Sequence, residues 1–220
     1  MKPSSAARWS LAALVVVIAL IVAIWPRDDA SAPDSFAEYR DRVGTTAPAD
    51  APDVDLGPER AAAGLADCPR PAADAAAPTG PLAGLQVTCL ADGAPLDLGR
   101  ALAGRPTVLN LWAHWCEPCA EELPYLQQYA ERAGDAVTVL TVHEDPREGS
   151  ALARLADYGV RLPGVQDGGK SVAAALGAPA VLPVSVLLDP SGEVAAVLAQ
   201  PFRSVDEIAD AVRTRLGVTT

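Results

Sequence analysis

At 220 residues, half of them hydrophobic, the chain has enough apolar content for one packed domain with appendages. Its 28 acidic against 17 basic residues give a formal net charge of −11, which excludes binding along a nucleic-acid backbone and gives no attraction to anionic lipid. Four cysteines, two of them close together, suit two disulfides in an oxidising compartment.

In chain order, the first feature is an uncharged run from Trp9 to Pro26, rich in Leu, Val, Ile and Ala, with Lys2 and Arg8 before it and Asp28 and Asp29 after it. Residues 1–26 are expected to be a single-pass transmembrane anchor, or else a signal sequence, and the basic N-terminal flank leaves the remainder of the chain outside the cytoplasm. Ala30-Ser31-Ala32 offers a small-residue cleavage site, which Pro33 should hinder. Either way the downstream residues are exported, and the expected location is the cell membrane with the main domain on its extracytoplasmic side. Residues 27–80 then shift to Ala, Pro and Asp, with prolines at 33, 48, 52, 58, 69, 71 and 78. Such a segment reads as a disordered or extended linker, with one or two helical turns over Phe36–Val43 and order beginning near Cys68.

Residues 81–220 read as the folded domain. Leu85–Leu90 and Thr107–Trp112 are predicted strands, Pro118–Arg132 an amphipathic helix, and Ala136–His143 a nearly continuous apolar strand. Helices are predicted over Glu148–Tyr158 and Gly169–Leu176. Val184–Asp189 and Glu193–Leu198 form a hairpin across Pro190-Ser191-Gly192, and Ser204–Leu216 is a closing helix with Ser204 and Glu207 at capping-box spacing. This order is that of an α/β fold with a mixed central sheet flanked by helices.

The densest chemistry lies in Cys116-Glu117-Pro118-Cys119, where the central strand runs into the long helix. Pro118 suits a first helical turn, so Cys116 is expected at a helix N-terminus, where free backbone N–H groups and the dipole favour thiolate over thiol. Cys119, one turn further in, can attack a mixed disulfide on Cys116 and release the partner. Glu117 puts negative charge near that sulfur, which opposes the dipole, raises the thiol pKa and points to a reductant.

The run Asn110-Leu111-Trp112-Ala113-His114-Trp115-Cys116-Glu117-Pro118-Cys119, then Glu122-Leu123-Pro124, then Leu182-Pro183 before a strand, and Asp189-Pro190-Ser191-Gly192 at a hairpin together resemble the thioredoxin superfamily. Within it they resemble the membrane-tethered thiol-disulfide oxidoreductases of the TlpA/ResA type, over about residues 82–216. The resemblance implies a thioredoxin-like fold in which Cys116 attacks and Cys119 resolves. It also implies that Leu182 and a cis Pro183 hold an extended substrate strand, with Trp115 shielding the sulfur and stacking on the partner. Asn110 stands where cytosolic thioredoxins have an acid, and Glu122 is the replacement candidate for proton relay. The implied partners are thiols or disulfides of exported proteins, apocytochrome c or its maturation partners among them, and a membrane dithiol donor of electrons. The chain is expected to act as a monomer without a cofactor.

Other readings compete at several residues. A zinc site would need a second close-spaced pair beside Cys116 and Cys119, and Cys68 and Cys89 do not supply one. Covalent haem attachment fails because Ala120, not His, comes directly after Cys119. Cys68 and Cys89 read as a structural disulfide, with a second redox pair as the alternative. His114 reads as a partly exposed bystander to Cys116 rather than a tuner of it, His143 as part of a loop beside Glu144 and Asp145, and Trp112 as core. Glu122 by itself can equally be an ordinary helix residue. The functional rivals are a disulfide oxidase or isomerase, and a thioredoxin-like copper chaperone, for which the spacing is one residue short and no histidine follows the hairpin region.

Overall fold

A computed structural model describes residues 55–71 and 77–220. The expected anchor, the linker up to residue 54 and the turns over Phe36–Val43 lie outside the described residues. Among the described residues no helix is long and apolar enough to cross a membrane.

The central strand forms where β-branched and aliphatic residues crowd together: β3, Thr107–Trp112, is buried along its whole length. Six more strands join it: β1 (Gln86–Cys89), β2 (Pro95–Asp97), β4 (Thr138–His143), β5 (Gly164–Gln166), β6 (Val184–Leu188) and β7 (Val194–Leu198). They make one mixed sheet in the order β2-β1-β5-β4-β3-β6-β7. β3 runs parallel to β4, with Trp112 opposite His143, and antiparallel to β6, with Leu111 opposite Val184.

Strand alternation sends Val108 and Trp112 to one face of the sheet and Leu109 and Leu111 to the other. The first face is covered by α3 (Glu117–Ala133), α4 (Glu148–Asp157) and α6 (Val205–Leu216), through Leu123, Leu126, Leu152, Leu155, Ile208 and Val212. The second is covered by α2 (Leu98–Leu102) and α5 (Ser171–Leu176), through Leu98, Leu102, Val172 and Leu176. Both faces being covered explains why β3 and β4 read as continuous apolar runs rather than alternating ones.

The structured unit reaches further toward the N-terminus than composition indicates. Within the segment assigned to the linker, Gly57–Ala63 forms α1, ended by Gly64 in the left-handed conformation at φ 55°. Pro58 falls in the first turn, where a missing N–H costs nothing, and Asp55 Oδ1 accepts from Gly57 N–H at 2.9 Å. Ala63 joins the core, and Arg60 pairs with Glu148 of α4 at 2.6 Å. A count of prolines does not reveal this helix, because proline breaks a helix only in its interior.

Three further short elements, β2, α2 and β5, lie outside the predicted ones. Their placement depends on partners. Gly164 of β5 lies so close to β4 that a Cβ there would stand 2.7 Å from Thr141 Oγ1. At the closing helix, Ser204 Oγ accepts from Glu207 N–H at 3.2 Å as expected. Glu207, however, reaches back to Arg203 N–H at 2.7 Å, one residue before the cap, so the reciprocal half of the capping box is displaced.

Candidate active site

Cys116 is the N-cap of the 17-residue helix α3, in extended conformation, and its carbonyl accepts Ala120 N–H at 3.2 Å. Glu117 and Pro118 form the first turn and are exposed. Cys116 is 6% exposed and disulfide-bonded to the fully buried Cys119, with Cα atoms 5.3 Å apart. The dithiol is thus in its oxidised form, with Cys116 keeping slight exposure and Cys119 none.

Glu122 lies on the same helix, three residues after Cys119, and is completely buried. Its Oε2 accepts from the Asn110 side-chain amide at 3.0 Å and its Oε1 from Phe202 N–H at 2.9 Å. Asn110 also donates to Ser185 Oγ at 3.1 Å, which ties β3, β6 and α3 together behind the disulfide. Burial pushes the Glu122 carboxyl up to about 7, and the two donated hydrogen bonds oppose only part of that rise. A group that gains and loses a proton near neutrality therefore sits inside the helix carrying the dithiol. Asn110 supports that carboxylate as a donor rather than acting as an acid itself.

Trp115 is 55% exposed, yet its indole N–H donates to Asp145 Oδ2 at 3.0 Å. Arg147 donates its backbone N–H and its Nε–H to Asp145 Oδ1, both at 3.0 Å, and holds that carboxyl well below the usual range. His143 is not loop chemistry: it ends β4 fully buried, its ring 5.0 Å from that of Trp112. Gln166 Nε2 donates to the Asp145 carbonyl at 2.6 Å, which leaves Oε1 to accept from His143 Nδ1 at 2.9 Å. His143 Nε2 is then the acceptor for the His114 backbone N–H at 3.3 Å and its Nδ1–H at 3.2 Å. Burial pushes both imidazoles down, toward the neutral forms this pairing requires. His114 is thereby a brace for the turn before Cys116.

Leu182–Pro183 is cis and leads directly into β6 beside β3. Leu182 packs against the core cluster that contains Cys116 and Cys119, and it borders the same surface cleft as Trp115. Trp115, Leu182, Cys116, Cys119 and Glu122 are thus gathered around one sheet end. Cys68 and Cys89 are bonded to each other elsewhere, at β1, three strand spacings from β3 or about 14 Å. Among the described residues no group of three or more His, Cys, Asp or Glu gathers as a metal site. Asp145, Ser185 and the Phe202 N–H have no signal in the sequence, since each comes from a distant element and one is a backbone group.

A family model described as Redoxin matches residues 45–212. The thiol-disulfide oxidoreductase ResA of Bacillus subtilis is 33% identical over 98 residues, covering 44% of this chain and 54% of that protein. ResA of Bacillus anthracis is 29% identical over 104 residues, covering 47% and 59%. The chain therefore spans little more than half the length of these curated relatives. Among solved structures, DsbF of MTB superposes with a TM-score of 0.55 at 28% identity, covering 61% of this chain and 96% of that one.

Proposed function

The chain belongs to the Redoxin family as a TlpA/ResA-like member of the thioredoxin superfamily, and from that premise we propose that it is an extracytoplasmic thiol-disulfide oxidoreductase. The observation that carries this is the disulfide at the start of α3, with Cys116 at the helix N-cap keeping slight exposure and Cys119 fully buried behind it.

Once the pair is reduced, the N-terminal turn of α3 favours a thiolate at Cys116. That thiolate attacks one sulfur of a partner disulfide; a Cys116–partner bond forms and the other partner sulfur leaves as a thiolate. The Cys119 thiol then loses its proton, for which Glu122 is the nearby acceptor, and attacks Cys116. The Cys116–Cys119 bond forms and the partner leaves with two thiols, so the protein has lost the two electrons the partner has gained. A membrane dithiol donor returns the pair to its reduced state. Trp115 and the Leu182–Pro183 backbone hold the partner strand during the exchange.

The substrates in this reading are exported proteins, apocytochrome c first among them, and residues 1–26 tether the domain to the membrane. Replacing Cys119 with Ala removes the resolving sulfur. The variant is expected to accumulate exported proteins as mixed disulfides on Cys116, identified by mass spectrometry after non-reducing separation. Absence of any trapped thiol protein would contradict the proposal, and a reduction potential near the strongly oxidising end would reverse its direction.

A further inference from the structure

We propose that the cleft between Trp115 and the 178–182 loop is a specificity subsite for a lysine or arginine side chain adjacent to the reactive cysteine of the partner polypeptide, with Glu144 as its counter-ion. The proposal rests on the oxidoreductase reading above and names the class of partner that reading leaves open.

The cleft has a volume of about 400 Å³ and is walled by Trp115, Ala173, Val181 and Leu182 among other small or apolar residues. Among the described residues its only charged lining residues are Glu144 and Lys170. Trp115 and Val181 are 55% and 53% exposed, so two of the largest uncovered apolar side chains lie at this one place beside the dithiol.

Glu144 is the anomaly. It comes directly after β4, is only 5% exposed, and its Oε1 has no hydrogen-bond partner among the described residues. No basic nitrogen among the described residues comes within salt-bridge distance of it. Burial raises the carboxyl, Lys170 offsets part of that rise and Asp167 adds to it. A carboxylate oxygen taken from water and left without a donor is costly, and a donor arriving with a ligand would recover that cost. Asp167 does not compete for the ligand: its carboxylate already accepts from Ser171 N–H, Ser171 Oγ–H and Val172 N–H at the start of α5. Lys170 sits exposed at the rim, where an incoming cation leaves it free in solvent.

The combination of an apolar wall and a buried acid matches a long amphipathic side chain. The aliphatic stem of lysine or arginine covers the alanine, valine and leucine surface, the charged head reaches the carboxylate, and the Trp115 face attracts the cation. A purely apolar side chain would seal Glu144 in without a partner, and a short polar one would leave the wall uncovered.

The test uses the reduced full chain and three disulfide-linked peptides that differ only at the residue beside the cysteine: arginine, its neutral isostere citrulline, or glutamate. The arginine peptide is expected to be reduced about tenfold faster than the citrulline peptide, the size of one charge-assisted hydrogen bond, with the glutamate peptide slowest. In E144Q the arginine-to-citrulline ratio is expected to fall to about one. Equal rates for arginine and citrulline with the unaltered chain, or a preference that survives E144Q, would overturn the subsite. Failure to reduce any of the peptides, the neutral one included, would overturn the oxidoreductase reading and the subsite with it. The comparison between peptides needs no variant, so it holds even where E144Q folds poorly.

Discussion

Glu122 is a carboxyl that folding buries completely, with two hydrogen-bond donors and, among the described residues, no cation paired with it. Its pKa rises from 4.5 to about 7, so between those values the native state keeps a proton that the unfolded chain has released. This residue's contribution to stability is accordingly undiminished below about pH 4.5, declines as pH rises through the window, and is flat above pH 7. The total change is on the order of 3 kcal/mol. Replacing Glu122 with Gln removes the titration. The variant can still accept Phe202 N–H, and the Asn110 amide, whose Oδ1 has no partner among the described residues, can turn over to meet the new NH2. Urea titrations at several pH values should therefore show a falling stability in the native chain that flattens in E122Q. An unchanged slope would mean that Glu122 is ordinary in its ionisation. Position 122 was singled out by the family resemblance, as the replacement for the acid absent at Asn110, but its environment was not legible, because the Phe202 N–H arrives from eighty residues away.

The elements whose boundaries the sequence pattern located well are those whose own residues decide their conformation. β3 is a six-residue run of β-favouring and apolar side chains, and α3 starts at a proline-containing turn and presents Leu123, Leu126 and Tyr129 at helical spacing to the sheet. β2 and β5, three residues each, show no period, and they are strands because β1 and β4 pair with them. α1 belongs to a third kind, in which a helix with good local signals was hidden by a proline-rich neighbourhood. Caps are local too, and the Ser204 hydroxyl satisfies one otherwise unpaired N–H of α6. Ser204→Ala is expected to cost about 1 kcal/mol, read as a lower urea midpoint with an unchanged slope. A loss well beyond that would show that Ser204 does more than cap.

At the scale of the whole molecule, the two disulfides occupy different kinds of place. Cys116–Cys119 spans a separation of 3 along the chain at a helix end, whereas Cys68–Cys89 spans a separation of 21 and fastens the segment after α1 to β1. In the loop-closure picture a link of the longer kind stabilises by about 3 kcal/mol, while the shorter one constrains little and is correspondingly free to serve chemistry. With β5 and β4 lying between β1 and the dithiol strand, Cys68–Cys89 has no short path for exchanging sulfur bonds with Cys116. The double variant C68A/C89A should then lose roughly 6–12 °C in Tm, the shift about 3 kcal/mol produces in a domain of this size. It should also reduce a small disulfide at the rate of the native chain when assayed below its melting temperature. A variant that melts normally but can no longer be re-reduced would show the opposite arrangement, with electrons entering at β1 before they reach α3. Scanning calorimetry and a reductase assay on the same preparation separate the two, because a structural link moves the first measurement and a redox relay moves the second.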